Sequence, residues 1–144
     1  LTEVYVSISI PARILIVLSI LIMLGIWVLI ALFHIRNPDV QTHEVMVWGG
    51  VSTLITILLL VSLRMPMKTF NFPFRVNQYN IGRQLYLAKN FVVVAMFELN
   101  AIMLCRMLDS FALGQGIFNI ASFIFLGLLL VTSIGYFVWA WVWR

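Results

Sequence analysis

Long apolar stretches alternate with short polar segments along the chain, and this alternation predicts helices that cross a bilayer. A helix of about 20 apolar residues spans the hydrocarbon core, so each long stretch accommodates one crossing. The predicted spans are 11–33, 46–63, 85–108 and 116–142. Residues 1–10 mix polar and apolar side chains in near alternation, which indicates an extended or surface-lying interfacial segment ahead of the first span.

The start of the first span carries a helix signal. Proline suits the first position of a helix, so we predict that the helix begins at Pro11 with Ser9 or Ile10 as its cap. The apolar run ends in bulky residues such as Trp27 and Phe33, whereas a cleaved signal peptide ends in small ones. We therefore expect this stretch to remain in the protein as a span.

The second span carries small and hydroxyl-bearing residues at helical spacings of three and four. Such a face allows another helix to approach closely, so we expect it to look inward. A dimer contact or a permeation path is the alternative interpretation of the same face. Its members are Gly49, Ser52, Thr53 and Thr56.

Composition supports the membrane class. Of the 144 residues, 63% are hydrophobic and 10% are charged, and the mean hydropathy is +1.09. A soluble domain is about half apolar and about a quarter charged, so this chain has too little polar surface to cover a water-facing globule. The single cysteine, Cys105, excludes an intrachain disulfide. We predict an all-α integral membrane bundle of four transmembrane helices over residues 11–144.

The distribution of basic residues predicts the orientation in the membrane. Lysine and arginine collect on the cytoplasmic side of membrane proteins. One side of the predicted topology has only Arg36 and Arg106, and we expect its connectors, 34–45 and 109–115, to face outward. Both termini and the connector 64–84 are then cytoplasmic. That side has Arg13, Arg64, Lys68, Arg75, Arg83, Lys89 and Arg144.

Glu98 is the most informative single residue, because it lies near the middle of the third span. A carboxylate at that depth costs a few kcal/mol and needs a partner, a proton or water. Asn100 lies close by in the same span, and His34 or Arg106 would approach from the outer side. We predict Glu98, Asn100 and His34 as proton- or ligand-binding residues. The alternative is that Glu98 is a hydrogen-bonded group that holds one helix to its neighbour.

Other catalytic or metal-binding patterns are weak. His34, His43 and Glu44 carry ligand atoms suited to zinc, but their spacing matches no common metal motif, so we expect neither a metal nor a cofactor. No phosphate-binding glycine loop or nucleophile motif occurs in the sequence. Cys105 is interpreted as a small packing residue, with a reactive thiol as the alternative. We do not expect an enzyme.

The cytoplasmic connector mixes aromatic and basic residues. Beside a membrane, such a mixture inserts rings at the interface and places cations against anionic headgroups. A docking surface for a cytoplasmic partner is the alternative, whereas we do not expect nucleic acid to bind. The predicted lipid- or partner-contacting residues are Lys68, Phe70, Phe72, Phe74, Arg75 and Arg83.

A motif runs from this connector into the third span. Its residues are Pro66, Phe70-Asn71-Phe72-Pro73, Val76, Asn80, Arg83-Gln84 and Leu87-Ala88. It resembles the Pro … Phe-Asn-Tyr-Pro … Asn-x-x-Arg-Gln-x-x-Leu-Ala stretch of the bacterial SdpI-like membrane proteins, and Pro38-Asp39 with Thr42-His43 resembles the outer loop of that family. The resemblance covers about residues 11–90.

The chain also departs from the family pattern. Residues 44–47 run almost directly into Trp48-Gly49-Gly50, so the outer loop is shortened, and Gly82 stands where the family often has Glu. The resemblance implies a small multi-pass protein of the bacterial cytoplasmic (inner) membrane. One well-known member of the family protects its host from a secreted toxic peptide and relays the presence of that peptide to a cytoplasmic repressor.

Together these observations predict a non-enzymatic sensor, immunity or accessory subunit that binds a peptide or a membrane-protein partner. The outward connectors would meet that partner, and the basic connector would meet lipid or a cytoplasmic protein. We also expect association into a homo-oligomer, because four helices with short loops give Glu98 limited cover. The alternative is a transporter or channel component that uses Glu98 to bind a proton or a cation.

Overall fold

The described residues of the computed structural model are 8–39, 43–64, 72, 75, 79–111 and 116–144. These residues form four helices and no strand. Each helix is long and apolar enough to cross a membrane, which confirms the predicted all-α class. The helices are α1 (Ile10–Arg36), α2 (His43–Leu63), α3 (Ile81–Ser110) and α4 (Ile117–Val142).

Local signals in the sequence explain where the helices begin. The Ser9 hydroxyl caps α1 by accepting a hydrogen bond from the Ala12 amide at 3.2 Å, as predicted for this start. Helix α3 begins at Ile81 rather than at residue 85. The prediction followed the apolar run, whereas the more polar first turn, residues 81–84, is also helical. Gly116 precedes α4 with a φ of 91°, a left-handed conformation that glycine adopts without a steric penalty.

Neighbouring helices in the chain run in opposite directions. The Trp27 indole of α1 donates a hydrogen bond to the Thr53 hydroxyl of α2 at 2.7 Å. The later residue Ile30 of α1 lies beside the earlier residue Gly49 of α2, so these two helices are antiparallel. At the other side of the bundle, the Gln84 amide near the start of α3 donates to the carbonyl oxygen of Ala140 near the end of α4 at 3.0 Å. The fold is therefore an up-down-up-down arrangement.

Helix α3 lies at the centre of this arrangement. It packs against α1, α2 and α4. In its most apolar stretch of 18 residues, 44% of the residues are buried, compared with 6% in the corresponding stretch of α4. Helix α1 packs against α2 and α3, whereas α4 packs mainly against α3. Because α3 touches every other helix, its polar side chains have the most opportunity to bond between helices.

The apolar core lies towards the end of the bundle where α1 finishes and α2 begins. Its buried members are Ile26, Ile30, Val45 and Met107, which come from α1, α2 and α3. Gly49 of α2 fits closely against α1, because a Cβ atom at that position would lie 3.1 Å from Ile30 Cδ1.

The prediction that the small-residue face of α2 looks inward is confirmed. Gly49 is buried, and Ser52 and Thr56 are fully or almost fully buried. Thr53 is half-buried and accepts the Trp27 hydrogen bond from α1. The same face therefore meets α1 through Gly49 and Thr53, and it meets α3 through the hydroxyl groups of Ser52 and Thr56.

Candidate functional site

Glu98 lies between α3 and α4 with 7% of its surface exposed. Its Oε1 atom accepts a hydrogen bond from the Thr132 hydroxyl of α4 at 2.7 Å. Its Oε2 atom is buried and has no hydrogen-bond partner among the described residues. Thr132 is therefore the polar contact that positions this carboxyl group.

The Thr132 hydroxyl faces two acceptors. It lies 2.8 Å from the backbone carbonyl oxygen of Leu128, in addition to its contact with Glu98. A hydroxyl group has only one proton to donate, so the Glu98 carboxyl group and the Leu128 carbonyl group compete for it.

Asn100 is fully buried on the side of α3 that faces α2. Its Oδ1 atom accepts a hydrogen bond from the Ser52 hydroxyl at 2.5 Å, and its amide nitrogen donates to the Thr56 hydroxyl at 2.9 Å. The Thr56 hydroxyl in turn donates to the carbonyl oxygen of Ser52 at 2.8 Å. We call these three residues the Asn100 cluster.

The structure does not bring the predicted residues Glu98, Asn100 and His34 together. Residues two apart on a helix point in nearly opposite directions, so Glu98 faces α4 and Asn100 faces α2. His34 is exposed near the end of α1. Its neighbour Phe33 stacks on Phe111 with ring centroids 4.0 Å apart, which places His34 roughly 20 Å along the bundle axis from Glu98, at about 1.5 Å per helical residue.

The sequence also suggested that Arg106 approaches Glu98. In the structure, Arg106 makes different contacts. Its guanidinium donates a hydrogen bond from Nη1 to Asn119 Oδ1 at 2.7 Å and lies 6.0 Å from the centre of the Trp48 ring. Arg106 thus connects the end of α3 to the beginning of α4. It does not neutralise Glu98.

The predicted lipid- or partner-contacting residues are only partly described. Phe72 is half-buried, Arg75 is exposed, and Arg83 is exposed in the first turn of α3. The carbonyl oxygen of Arg75 accepts a hydrogen bond from the Asn80 amide at 3.0 Å, just ahead of α3. The others lie outside the described residues: Lys68, Phe70 and Phe74.

Sequence reasoning did not identify two further bonds between helices. Asn90 Oδ1 accepts from both the backbone amide and the hydroxyl of Ser9, at 3.2 and 2.8 Å. Fully buried Gln84 bonds Ala140 of α4, as described above. For Asn90 the available signal was an amide side chain inside a predicted span, which in lipid needs a partner on a neighbouring helix. Gln84 was predicted to lie in the connector 64–84, so it gave no such signal.

The outward surface of α4 carries a shallow groove of about 510 Å³. Gly135 lies in this groove, between Val131 and Trp139. A Cβ atom built at Gly135 would have no heavy atom within 4 Å, apart from the helix's own backbone and the chain neighbours. The groove is therefore open towards the membrane, and we call it the Gly135 groove.

Among the described residues, no group of three or more His, Cys, Asp or Glu side chains lies close enough together to hold a metal ion. No family model, curated protein or solved structure matches this chain. The resemblance to the SdpI-like proteins therefore stays a prediction.

Proposed function

We propose that the chain is a non-enzymatic accessory or sensor subunit of the bacterial cytoplasmic membrane, with both termini in the cytoplasm. It binds a transmembrane helix of a protein partner at the Gly135 groove of α4. The open glycine in this groove is the observation that carries the proposal. The basic residues at the end of the bundle where α1 and α3 begin support the orientation.

The glycine is not needed for packing within the bundle. A Cβ atom at Gly135 would meet nothing within 4 Å, whereas one at Gly49 would crowd α1. Other helical glycines, such as Gly25, Gly50 and Gly127, are equally open, so the groove around Gly135, rather than the missing side chain alone, supports the proposal. Small residues allow two membrane helices to approach closely, and this is the use that the groove supports.

The buried polar side chains support a binding role rather than a chemical one. Asn100 bonds Ser52 and Thr56 of α2, and Gln84 bonds the end of α4. These groups hold helices together in separate places. Both polar ends of Asn100 are occupied by structural hydrogen bonds, so Asn100 is poorly suited to line a path for a substrate. The Gln84 amide nitrogen is bonded, whereas its Oε1 atom is buried without a partner among the described residues.

A glycine substitution tests the proposal. Gly135→Leu places a side chain in the groove, where its Cβ has no neighbouring heavy atom within 4 Å. Gly50→Leu is the matched control, because Gly50 is also exposed and a Cβ built there likewise has no neighbour within 4 Å. The protein and its variants are purified from the native membrane in a mild detergent, and co-purifying chains are identified by mass spectrometry. We expect the same membrane protein with the parent chain and with Gly50→Leu, and its loss with Gly135→Leu.

Two outcomes contradict this proposal. One is retention of the partner by Gly135→Leu at the level of the control, with both variants folded. The other is the absence of any stoichiometric partner of the parent chain. If the chain that co-purifies is another copy of this protein, the Gly135 groove serves self-association. The expected homo-oligomer then takes the place of a distinct partner.

A second candidate function has one observation in its favour. Glu98 Oε2 is buried without a hydrogen-bond partner among the described residues, and an ionisable group at this depth in a membrane is a candidate for binding a proton or a cation. A proton transporter reconstituted in liposomes would show proton flux that Glu98→Gln abolishes. Flux that is absent from the parent chain, or unchanged in the variant, would exclude this candidate and leave Glu98 as a packing group.

A further inference from the structure

We propose that the partner helix at the Gly135 groove carries a lysine or an arginine that pairs with Glu98. This inference rests on the proposed function, because it names the chemistry of the helix that covers the same surface. It goes further in one respect. It predicts that the partner is a different protein rather than a second copy of this chain.

Glu98 lies at the end of the surface that the partner helix covers. A cavity of about 380 Å³ between α3 and α4 shares Gly135 and Trp139 with the Gly135 groove, and it extends to Thr132, which bonds Glu98 at 2.7 Å. On α3 the cavity follows positions three and four residues apart, and Glu98 is the next position on that stripe after Val94. The lining residues of α3 are Leu87, Asn90, Phe91 and Val94.

The Glu98 carboxyl group has an unmet capacity for hydrogen bonds. An ionised carboxylate accepts hydrogen bonds at two oxygen atoms. Oε1 competes with the Leu128 carbonyl oxygen for the Thr132 proton, and Oε2 is buried without a partner among the described residues. A basic side chain supplies both the missing hydrogen bonds and the opposite charge. Ionisable groups within membranes commonly pair with one another in this way.

The cavity suits the stem of a long basic side chain. Most of the residues around it are apolar, including Val94 and Trp139, and lysine and arginine bury their methylene groups along apolar surface. The charged end then arrives at Thr132, next to Glu98. The last side-chain torsion of glutamate has broad energy wells, so the carboxyl group turns to present either oxygen atom.

A second copy of this chain does not supply such a cation. Within the described helices, α2 and α4 contain no lysine or arginine, and those of α1, Arg13 and Arg36, lie near its ends. On α3, Lys89 and Arg106 each lie two turns or more from Glu98, about 12 Å along the axis. A second copy in the same orientation has its cations at the same depths. It therefore presents none at the level of Glu98.

Recovery of model helices by the full chain tests the pair. The probes are three synthetic polyleucine transmembrane peptides with a central glycine, which differ only in the residue one turn away: lysine, glutamine or methionine. The chain, with an affinity tag at its N-terminus, is reconstituted with each peptide in phosphatidylcholine vesicles, solubilised in mild detergent and recovered. Mass spectrometry measures the bound peptide. We expect about tenfold more of the lysine peptide than of either other peptide, the size of one charge-assisted hydrogen bond.

Variants assign this preference to Glu98. Glu98→Gln should remove the preference for lysine, because the amide has no charge, whereas Glu98→Asp should keep it. Glu44→Gln is the control, since Glu44 is an exposed acid in the first turn of α2, and it should change nothing. Circular dichroism checks that each variant is folded. If Glu98→Gln does not fold, the comparison of Glu98→Asp with the parent chain decides the result.

Four outcomes would overturn the inference. They are equal recovery of the lysine and methionine peptides, equal recovery of the lysine and glutamine peptides, an unchanged preference in folded Glu98→Gln, and a lost preference in folded Glu98→Asp. Gly135→Leu distinguishes this failure from failure of the proposed function. Loss of all three peptides with Gly135→Leu, without any preference for lysine in the parent chain, supports the docking surface and refutes the charge pair. Full recovery of the peptides by Gly135→Leu contradicts the docking surface itself.

Discussion

The Asn100 cluster offers the sharpest test of how this bundle is held together. Replacing Asn100 by alanine removes the acceptor of the Ser52 hydroxyl and the donor to the Thr56 hydroxyl. All three side chains are 1% exposed or less, so water does not replace the lost groups. We therefore expect Asn100→Ala to reduce the free energy of unfolding.

The size of the effect follows from measured bonds between membrane helices. These average about 0.6 kcal/mol each and reach about 1.7 kcal/mol, so two of them contribute about 1.2 kcal/mol. The Thr56 hydroxyl still donates to the Ser52 carbonyl oxygen in the variant, so its proton is not left without an acceptor. Removing the side chain also leaves a cavity. A double-mutant cycle of Asn100→Ala with Ser52→Ala separates the bond from the cavity, and we expect a coupling of about 0.6 kcal/mol.

Reversible unfolding in mixed micelles with increasing denaturing detergent measures these free energies. Ser133→Ala is the control, because the Ser133 hydroxyl bonds only the Leu129 carbonyl oxygen of its own helix, at 2.9 Å. We expect this control to stay within about 0.5 kcal/mol of the parent chain. A coupling of zero between Asn100 and Ser52, or an Asn100→Ala variant as stable as the control, would refute the reasoning.

Three further predictions concern other parts of the chain. Glu98→Gln should retain more thermal stability in detergent than Glu98→Leu, because an amide still bonds a hydroxyl group; equal melting temperatures would contradict this. Gly49→Ala should lose about 1 kcal/mol in the unfolding assay from overpacking against α1, whereas Gly50→Ala should not, and equal losses would contradict the close fit. A reporter that is active only in the cytoplasm should be active when fused at Gln78, and an inactive fusion would reverse the proposed orientation.

The sequence predicted the elements well because the bilayer imposes a strict length requirement. A crossing needs about 20 apolar residues with internally satisfied backbone groups, so the apolar runs alone revealed four helices. Local chemistry added the Ser9 cap of α1. The small-residue face of α2 could also be predicted to look inward, since Gly49 and Ser52 share a helical face at a spacing that favours close packing.

Only the tertiary structure decided which polar groups meet. Glu98 was identifiable as a buried acid, but its partner Thr132 lies on another helix, as do Ser52 and Thr56 around Asn100. In water, an apolar stripe shows which face of a helix is buried. In lipid, the outward face is as apolar as the inward one, so the hydrophobic pattern contains little information about how each helix is rotated. Packing against α3 sets that rotation, and with it the contacts of every buried polar side chain.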